Sequence, residues 1–239
     1  MRAERESVRA VAVVVPARNE EALIGACLCS IERAVQTLGT QASVVTVVVD
    51  DDSSDATAAI AGTFHGVTVL GTPGGNVGRA RATGVDSALA ALDLDPAEVW
   101  IASTDADSTV PPHWLAGQLR LAAEGADVVL GTVRPTFAEL TAKQVAAWLH
   151  LHRRGVAQGE IHGANLGVRG DVYRRSGGFR ALDEHEDVEL VTRLRELTDR
   201  VVSTAEIEVV TSGRLFGRTP GGFAGYLRTQ LVPPEIVVR

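Results

Sequence analysis

The chain has 239 residues, of which 45% are hydrophobic and 22% charged, and its formal net charge is −7. Those values describe an ordinary soluble globule with enough length for a full core, and the acidic balance argues against a general nucleic-acid binder, whose surface must neutralise phosphate. The apolar runs fall far short of the ~20 residues of a membrane-spanning helix, and the charged start Met-Arg-Ala-Glu-Arg-Glu has no signal-peptide core behind it, so a cytoplasmic protein without membrane insertion is expected.

Taken in order, the first half alternates strands and helices. Residues 11–15 (VAVVV) form an apolar run without alternation, the pattern of a strand covered on both faces. Apolar positions at helical spacing follow over 20–38, a second buried strand over 44–49, a helical stretch near 54–63 and a short strand over 67–70. A Gly-rich turn, 71–78, opens a helix near 79–91, and a fourth strand spans 99–102. Pro111 and Pro112 suit the first turn of a helix running to about 124, and 128–130 reads as a fifth strand. This pitch indicates βαβ units and a mostly parallel sheet with helices on both faces, in a single domain.

The second half is less regular. Residues 136–158 read as a helix carrying Trp148, His150, His152 and Arg153; the segment 163–169 reads as a short strand, 177–179 as a turn and 183–197 as an amphipathic helix. A late strand is expected at 207–210, followed by a Gly- and Arg-rich tail. Cys27 and Cys29 lie two apart on a helix and point to different sides, which excludes a disulfide between them. They fit no zinc pattern either, and both read as small buried or half-buried residues. Trp148 reads as core, and His150 and His152 as surface residues rather than ligands.

Right-handed crossovers bring the C-terminal ends of the parallel strands to one edge, where such sheets bind ligands. The residues at those ends are Pro16-Ala-Arg-Asn-Glu-Glu, Asp50-Asp-Asp-Ser-Ser-Asp, Gly71-Thr-Pro-Gly-Gly-Asn and Ser103-Thr-Asp-Ala-Asp-Ser. Asp105 and Asp107 face the same way if the chain is extended, and two carboxylates a few ångströms apart repel unless a cation or proton joins them. A hard divalent ion suits that pair; a capping turn before the Pro-Pro helix accounts for it equally well. Asp50, Asp51 and Asp52 exceed what a helix cap requires and suit hydrogen bonding to a ligand. Arg79 and Arg81 at a Gly-rich helix start make an anion site or simply an exposed helix face. The acids from Asp183 to Glu189 stabilise a helix N-terminus, and their crowding also suits a general base.

Seven segments together, VVVPARNEE (13–21), VVVDDDSSDAT (47–57), GRARATG (78–84), STDADS (103–108), HGANLGVR (162–169), GGF (177–179) and EDVEL (186–190), resemble the family 2 glycosyltransferases of the GT-A fold, in that family's order. The resemblance implies inverting transfer of one sugar from a UDP- or GDP-sugar to an acceptor hydroxyl, assisted by Mn²⁺ or Mg²⁺. It implies that Pro16, Arg18 and Glu20 form a nucleotide-contacting loop. Asp50, Asp51 and Asp52 would bind base and ribose, Asp51 foremost, and Arg81 would approach the nucleotide or diphosphate. Asp105 and Asp107 match the D-x-D motif, Asp107 as the more direct metal ligand, with Asp105 and Ala106 also on the donor. Asp187 matches the catalytic base beside Glu186, and Gly163, Asn165 and Glu186 the acceptor side.

The chain departs from the pattern at Asp52, where the family more often carries glycine, and it lacks the Q-x-x-R-W signature of processive synthases, which points to a single transfer. Residues 11–132 are then the nucleotide-sugar half, 133–212 the acceptor half and 213–239 a mobile C-terminal segment. In that segment Gly213–Gly222 is expected to close over the ligands, with Arg214 or Arg218 on phosphate. A homodimer is the default assembly. A silent sugar-nucleotide-binding module would be expected to lose Asp107 or Asp187. A pyrophosphorylase would carry a glycine-rich basic loop where Pro16-Ala-Arg-Asn-Glu-Glu stands.

Overall fold

The computed structural model describes residues 6–182, 184–219 and 221–231. Asp183 of the acid cluster, Pro220 of the expected closing loop and residues 232–239 of the C-terminal segment lie outside them. Among the described residues eight strands form one sheet: β1 (Ala10–Ala17), β2 (Ser43–Asp50), β3 (Val67–Gly71), β4 (Val99–Ser103), β5 (Ser108–Thr109), β6 (Val128–Pro135), β7 (Leu166–Arg169) and β8 (Val201–Thr211). Their spatial order is β3-β2-β1-β4-β7-β6-β8-β5. The β3-β2-β1-β4 half is parallel, β7 enters antiparallel between β4 and β6, and β6 and β8 are parallel again.

Both faces of the sheet are covered, which explains the unbroken apolar runs. In β1, Val11, Val13 and Val15 pack into one core cluster while Ala10, Ala12 and Val14 pack into the other. The period of two is intact, but both sides of it are buried. In β4 the same division sends Trp100 and Ala102 to the first cluster and Val99 and Ile101 to the second. Helices α1 (Ile24–Leu38) and α4 (Trp114–Ala123) cover the first face. Helices α3 (Val77–Leu92), α6 (Gly170–Arg175) and α7 (Glu186–Leu197) cover the second. Helix α2 (Thr57–Ala61) is a short turn of helix between β2 and β3. No helix among the described residues is long and apolar enough to cross a membrane.

Four expectations change. The helix read over 136–158 is only α5 (Ala142–Leu151): β6 continues to Pro135, and Thr141 and Gln144 form a reciprocal capping box that starts the helix later. The tail contains a further helix, α8 (Phe223–Gln230), with Phe223, Tyr226 and Leu227 at helical spacing. Leu227, Leu231 and Trp148 form a third, small cluster that fixes α8 against α5. Cys27 is buried as expected, but Cys29 is exposed. His150 is exposed, whereas His152 stacks on Trp148 with ring centroids 3.7 Å apart.

β7 carries a glycine at a close crossing. A Cβ at Gly167 would lie 2.3 Å from Gln118 Oε1 and 2.7 Å from the Trp100 ring, which are themselves joined by a 2.7 Å hydrogen bond from Trp100 Nε1. Gly167→Ala is therefore expected to destabilise the protein by about 1–3 kcal/mol through overpacking. The measurement is the urea midpoint, which falls with unchanged slope; an unchanged midpoint contradicts this packing.

Candidate active site

The parallel strands end together, with Ala17 paired to Asp50, Asp50 to Gly71 and Val14 to Ser103. Beyond those ends opens a cleft of about 490 Å³ lined by Pro16, Arg18, Asp51, Arg81, Asp105 and Asp107 at one end, with Gly163, Glu186 and Asp187 also on its wall. Ala106 lines it too, with a nearly buried side chain.

Arg81 is the centre of the charged end. It is 2% exposed, and its guanidinium donates to Glu186 Oε1 (3.0 Å), Ser103 Oγ (2.5 Å) and Asp105 Oδ1 (2.6 Å). Helix α3 carries it, β4 ends at Ser103, and α7 begins at Glu186, so one side chain ties three elements together. Its pKa is raised further by the carboxylates of Asp105, Glu186 and Asp187, against the effect of burial. Close packing leaves no room for a side chain at position 163, where a Cβ would lie 2.4 Å from Arg81 Nη2.

Asp107 has a different counter-ion. Arg214 Nη2 lies 2.8 Å from Asp107 Oδ2 and 2.8 Å from Glu20 Oε1, and Arg218 also donates to Glu20 Oε1 at 2.8 Å. Glu20 is 4% exposed and accepts both arginines, so it anchors the C-terminal segment while also lining the cleft. Burial, then Asp105 and Glu20, push the Asp107 carboxyl up to about 6, while Arg214 pulls it the other way. Beneath the turn, Cys27 Sγ lies 3.3 Å from the Asp105 carbonyl oxygen. Burial first, then the nearby Asp107, Asp105 and Glu20, push its thiol well above the usual range.

The three consecutive acids part company. Asp51 is buried and accepts from the Gly75 and Asn76 amides (3.0 and 3.1 Å) and the Thr72 hydroxyl (3.1 Å), so it organises the Gly-rich turn; Arg18 Nη1 stands 4.0 Å away. Asp50 and Asp52 do not line the cleft. Asp52 is exposed and sits at φ 63°, a left-handed conformation in which glycine is unstrained and Asp is tolerated. That is the physical content of the glycine-to-Asp departure.

Asp187 stands in the first turn of α7 and accepts the Gly163 N–H at 2.7 Å through Oδ2. Asn165 is not beside it. Its amide is 1% exposed and donates to the Thr132 and Ile207 carbonyls (2.9 and 2.8 Å), while Oδ1 accepts from Trp114 Nε1 (2.9 Å). The expected acceptor-side role of Asn165 is thus replaced by a bridge between β6, β8 and α4, outside the cleft lining.

The other end of the cleft was read in the sequence only at Trp148 and His152, as a core and a surface residue. It is lined by Trp148, His152, Glu160, His162, Phe223 and Tyr226. The periodic Phe223, Tyr226 and Leu227 were the available signal for the helix that supplies two of these.

Among the described residues no group of three or more His, Cys, Asp or Glu side chains is placed to hold a metal ion. Asp105 and Asp107 alone remain, and Asp105 spends only Oδ1 on Arg81. Two carboxylates with the rest of the shell open fit a hard divalent ion that completes its coordination with water and phosphate oxygens.

The sequence matches the family model for glycosyl transferase family 2 over residues 12–182, and the chain belongs to that family. No curated protein sequence matches it. The fold is of the GT-A type shared with solved glycosyltransferases. TarS 1–349 of S. aureus, crystallised with UDP-GlcNAc, is similar with a TM-score of 0.68 and 16% identity, over 90% of this chain and 62% of that one. A mannosyltransferase from Pyrobaculum calidifontis, in complex with GDP-Man and Mn²⁺, gives 0.62 and 23% identity, over 87% of this chain and 57% of that one. The chain therefore spans about three fifths of the length of these structures.

Two outcomes test this geometry. Arg81→Met leaves Glu186 buried without its partner and is expected to cost about 3–5 kcal/mol. Arg81→Lys recovers little of that loss, because an ammonium cannot reproduce three directed contacts; near-native urea stability of either variant contradicts the assigned role. A thiol reagent is expected to titrate one cysteine in the native protein, Cys29, and both after denaturation. Rapid native labelling of Cys27 contradicts the closed turn.

Proposed function

We propose that the protein transfers one sugar from a nucleoside diphosphate sugar to an acceptor hydroxyl, with inversion, and that Asp187 is the general base. The observation that carries this reading is the Arg81 bridge. By joining Asp105 to Glu186 it holds the D-x-D end and the Asp187 end of one cleft at a fixed spacing, as a displacement requires of its leaving group and its base. The solved relatives, one with UDP-GlcNAc and one with GDP-Man and Mn²⁺, favour a uridine or guanosine diphospho sugar as donor.

In this reading Pro16, Arg18 and the turn organised by Asp51 receive the nucleoside, and Asp105 and Asp107 hold a divalent cation. Bound there, the ion neutralises charge on the diphosphate. Arg214, which now neutralises Asp107, shares or yields that position. The Gly163 N–H orients the Asp187 carboxylate. The acceptor oxygen attacks the anomeric carbon, the bond to the diphosphate oxygen breaks with its electron pair, and the acceptor proton passes to Asp187. Removing such a base costs ~10²–10⁴-fold in rate.

Thermal melts with UDP or GDP, each with Mn²⁺ or EDTA, test the donor end. A ligand at 100 times its Kd adds about 2.7 kcal/mol of stability, so one nucleotide is expected to raise Tm in a metal-dependent way. Asp187→Asn is expected to retain that shift while losing at least ~10²-fold in turnover. No shift with any nucleotide, or full activity of the variant, refutes the assignment.

A further inference from the structure

The aromatic end of the cleft has a construction of its own. Trp148 is 4% exposed, and its ring face is covered by His152, so it supports the wall rather than offering a platform. Phe223 is held edge-on by Trp148 (74°) and by His162 (90°), and it stands beside Tyr226 at 6.2 Å and 24°. These two half-buried rings form a nearly continuous apolar wall. Opposite in character is Glu160, whose two carboxylate oxygens lie 3.6 Å from His152 Nε2 and 3.5 Å from His162 Nε2. The Tyr226 hydroxyl is 3.3 Å from His152 Nε2. Glu160 thus bridges the two imidazoles at the rim of the wall.

The charges here select against anions. Glu160, Glu184 and Asp187 all line the cleft. The arginines that also reach the cleft, Arg214 and Arg218, are engaged by Glu20 and Asp107. What remains is a flat apolar wall with a carboxylate and a phenol at its rim. Such a surface matches a ring with apolar C–H faces and a hydroxylated edge, since hydroxyls donate to carboxylates and C–H faces pack on aromatic rings.

We propose that this end of the cleft is the acceptor subsite, and that it takes an uncharged hydroxylated ring of the pyranose class, packed on Phe223 and Tyr226 and hydrogen-bonded to Glu160. The inference rests on the transferase reading, because Asp187, which lines the same cleft, is there the base that meets the acceptor hydroxyl. Whether the ring is a free glycoside or the end of a longer glycan makes no difference to this chemistry.

The test is saturation-transfer NMR on the full chain with methyl glucoside, galactoside, mannoside and N-acetylglucosaminide. Glucose 6-phosphate and glycerol 3-phosphate serve as charged probes, and the set is run with and without UDP or GDP and Mg²⁺. At least one methyl pyranoside is expected to bind in preference to the phosphorylated probes. Trp148 fluorescence gives a second readout, because Trp148 lines the cleft whereas Trp100 and Trp114 lie in the core outside it. Phe223→Leu and Glu160→Gln are each expected to weaken pyranoside binding about tenfold, a loss of ~1.4 kcal/mol, with melting temperature and nucleotide affinity retained. If one variant folds poorly, the other decides, since Glu160 is exposed and its replacement is isosteric. Preference for the phosphorylated probes, binding of no pyranoside, or pyranoside binding that ignores a folded variant overturns the proposal. Nucleotide binding is read separately: pyranoside binding without any nucleotide binding supports the subsite and defeats the transferase reading instead.

Discussion

The cleft depends on a single buried cation. Arg81 enters from helix α3, and its three bonds reach the end of β4, the D-x-D turn and the start of α7. A guanidinium withdrawn from water is stable only if its partners are charged and correctly aimed. Glu186 and Asp105 supply that charge, and Gly163 supplies the space. The requirement runs in both directions. The arginine neutralises carboxylates that would otherwise repel one another, and those carboxylates hold the arginine in a position that few side chains could occupy.

A second layer of pairing repeats this logic across the whole length of the chain. Arg214 meets Glu20 over a separation of 194 residues and also neutralises Asp107. Each acid of the D-x-D pair therefore has its own guanidinium, one buried and rigid, the other at the cleft surface. These two pairings offset the charge of the D-x-D acids locally. The Asp107 carboxyl is nevertheless raised, by burial first and then by Asp105 and Glu20.

Much of this was legible because it is local. The strand ends carry their acids, glycines and arginines within a few residues of each apolar run, and parallel topology collects them at one edge. Asp51, Asp105 and Asp107 were visible for that reason, Arg81 by its place at the Gly-rich helix start, and Asp187 by its acid cluster and the family resemblance. Other features depend on partners far away in sequence. Nothing near Leu166–Arg169 says that β7 will enter the sheet antiparallel between β4 and β6. Nothing beside Asn165 reveals that its amide will be consumed by two carbonyls and an indole, so a motif position read as facing a ligand proves to be internal scaffolding. The aromatic wall was missed because glycines and arginines dominate the tail, masking three apolar residues at helical spacing that find their partners only on α5.

One short stretch of chain serves both ends of the cleft. Residues Ser212 to Arg218 carry the arginines that meet Glu20 and Asp107, and the chain then proceeds into α8, which supplies Phe223 and Tyr226. Whatever alters the pairing of Arg214 acts on a segment whose far end shapes the aromatic wall. Two ligands that bias the same segment must affect each other's affinity, and reciprocally so. In the proposed transferase the affinities of donor and acceptor are thus coupled through the connectivity of the C-terminal segment, before any contact between the substrates themselves.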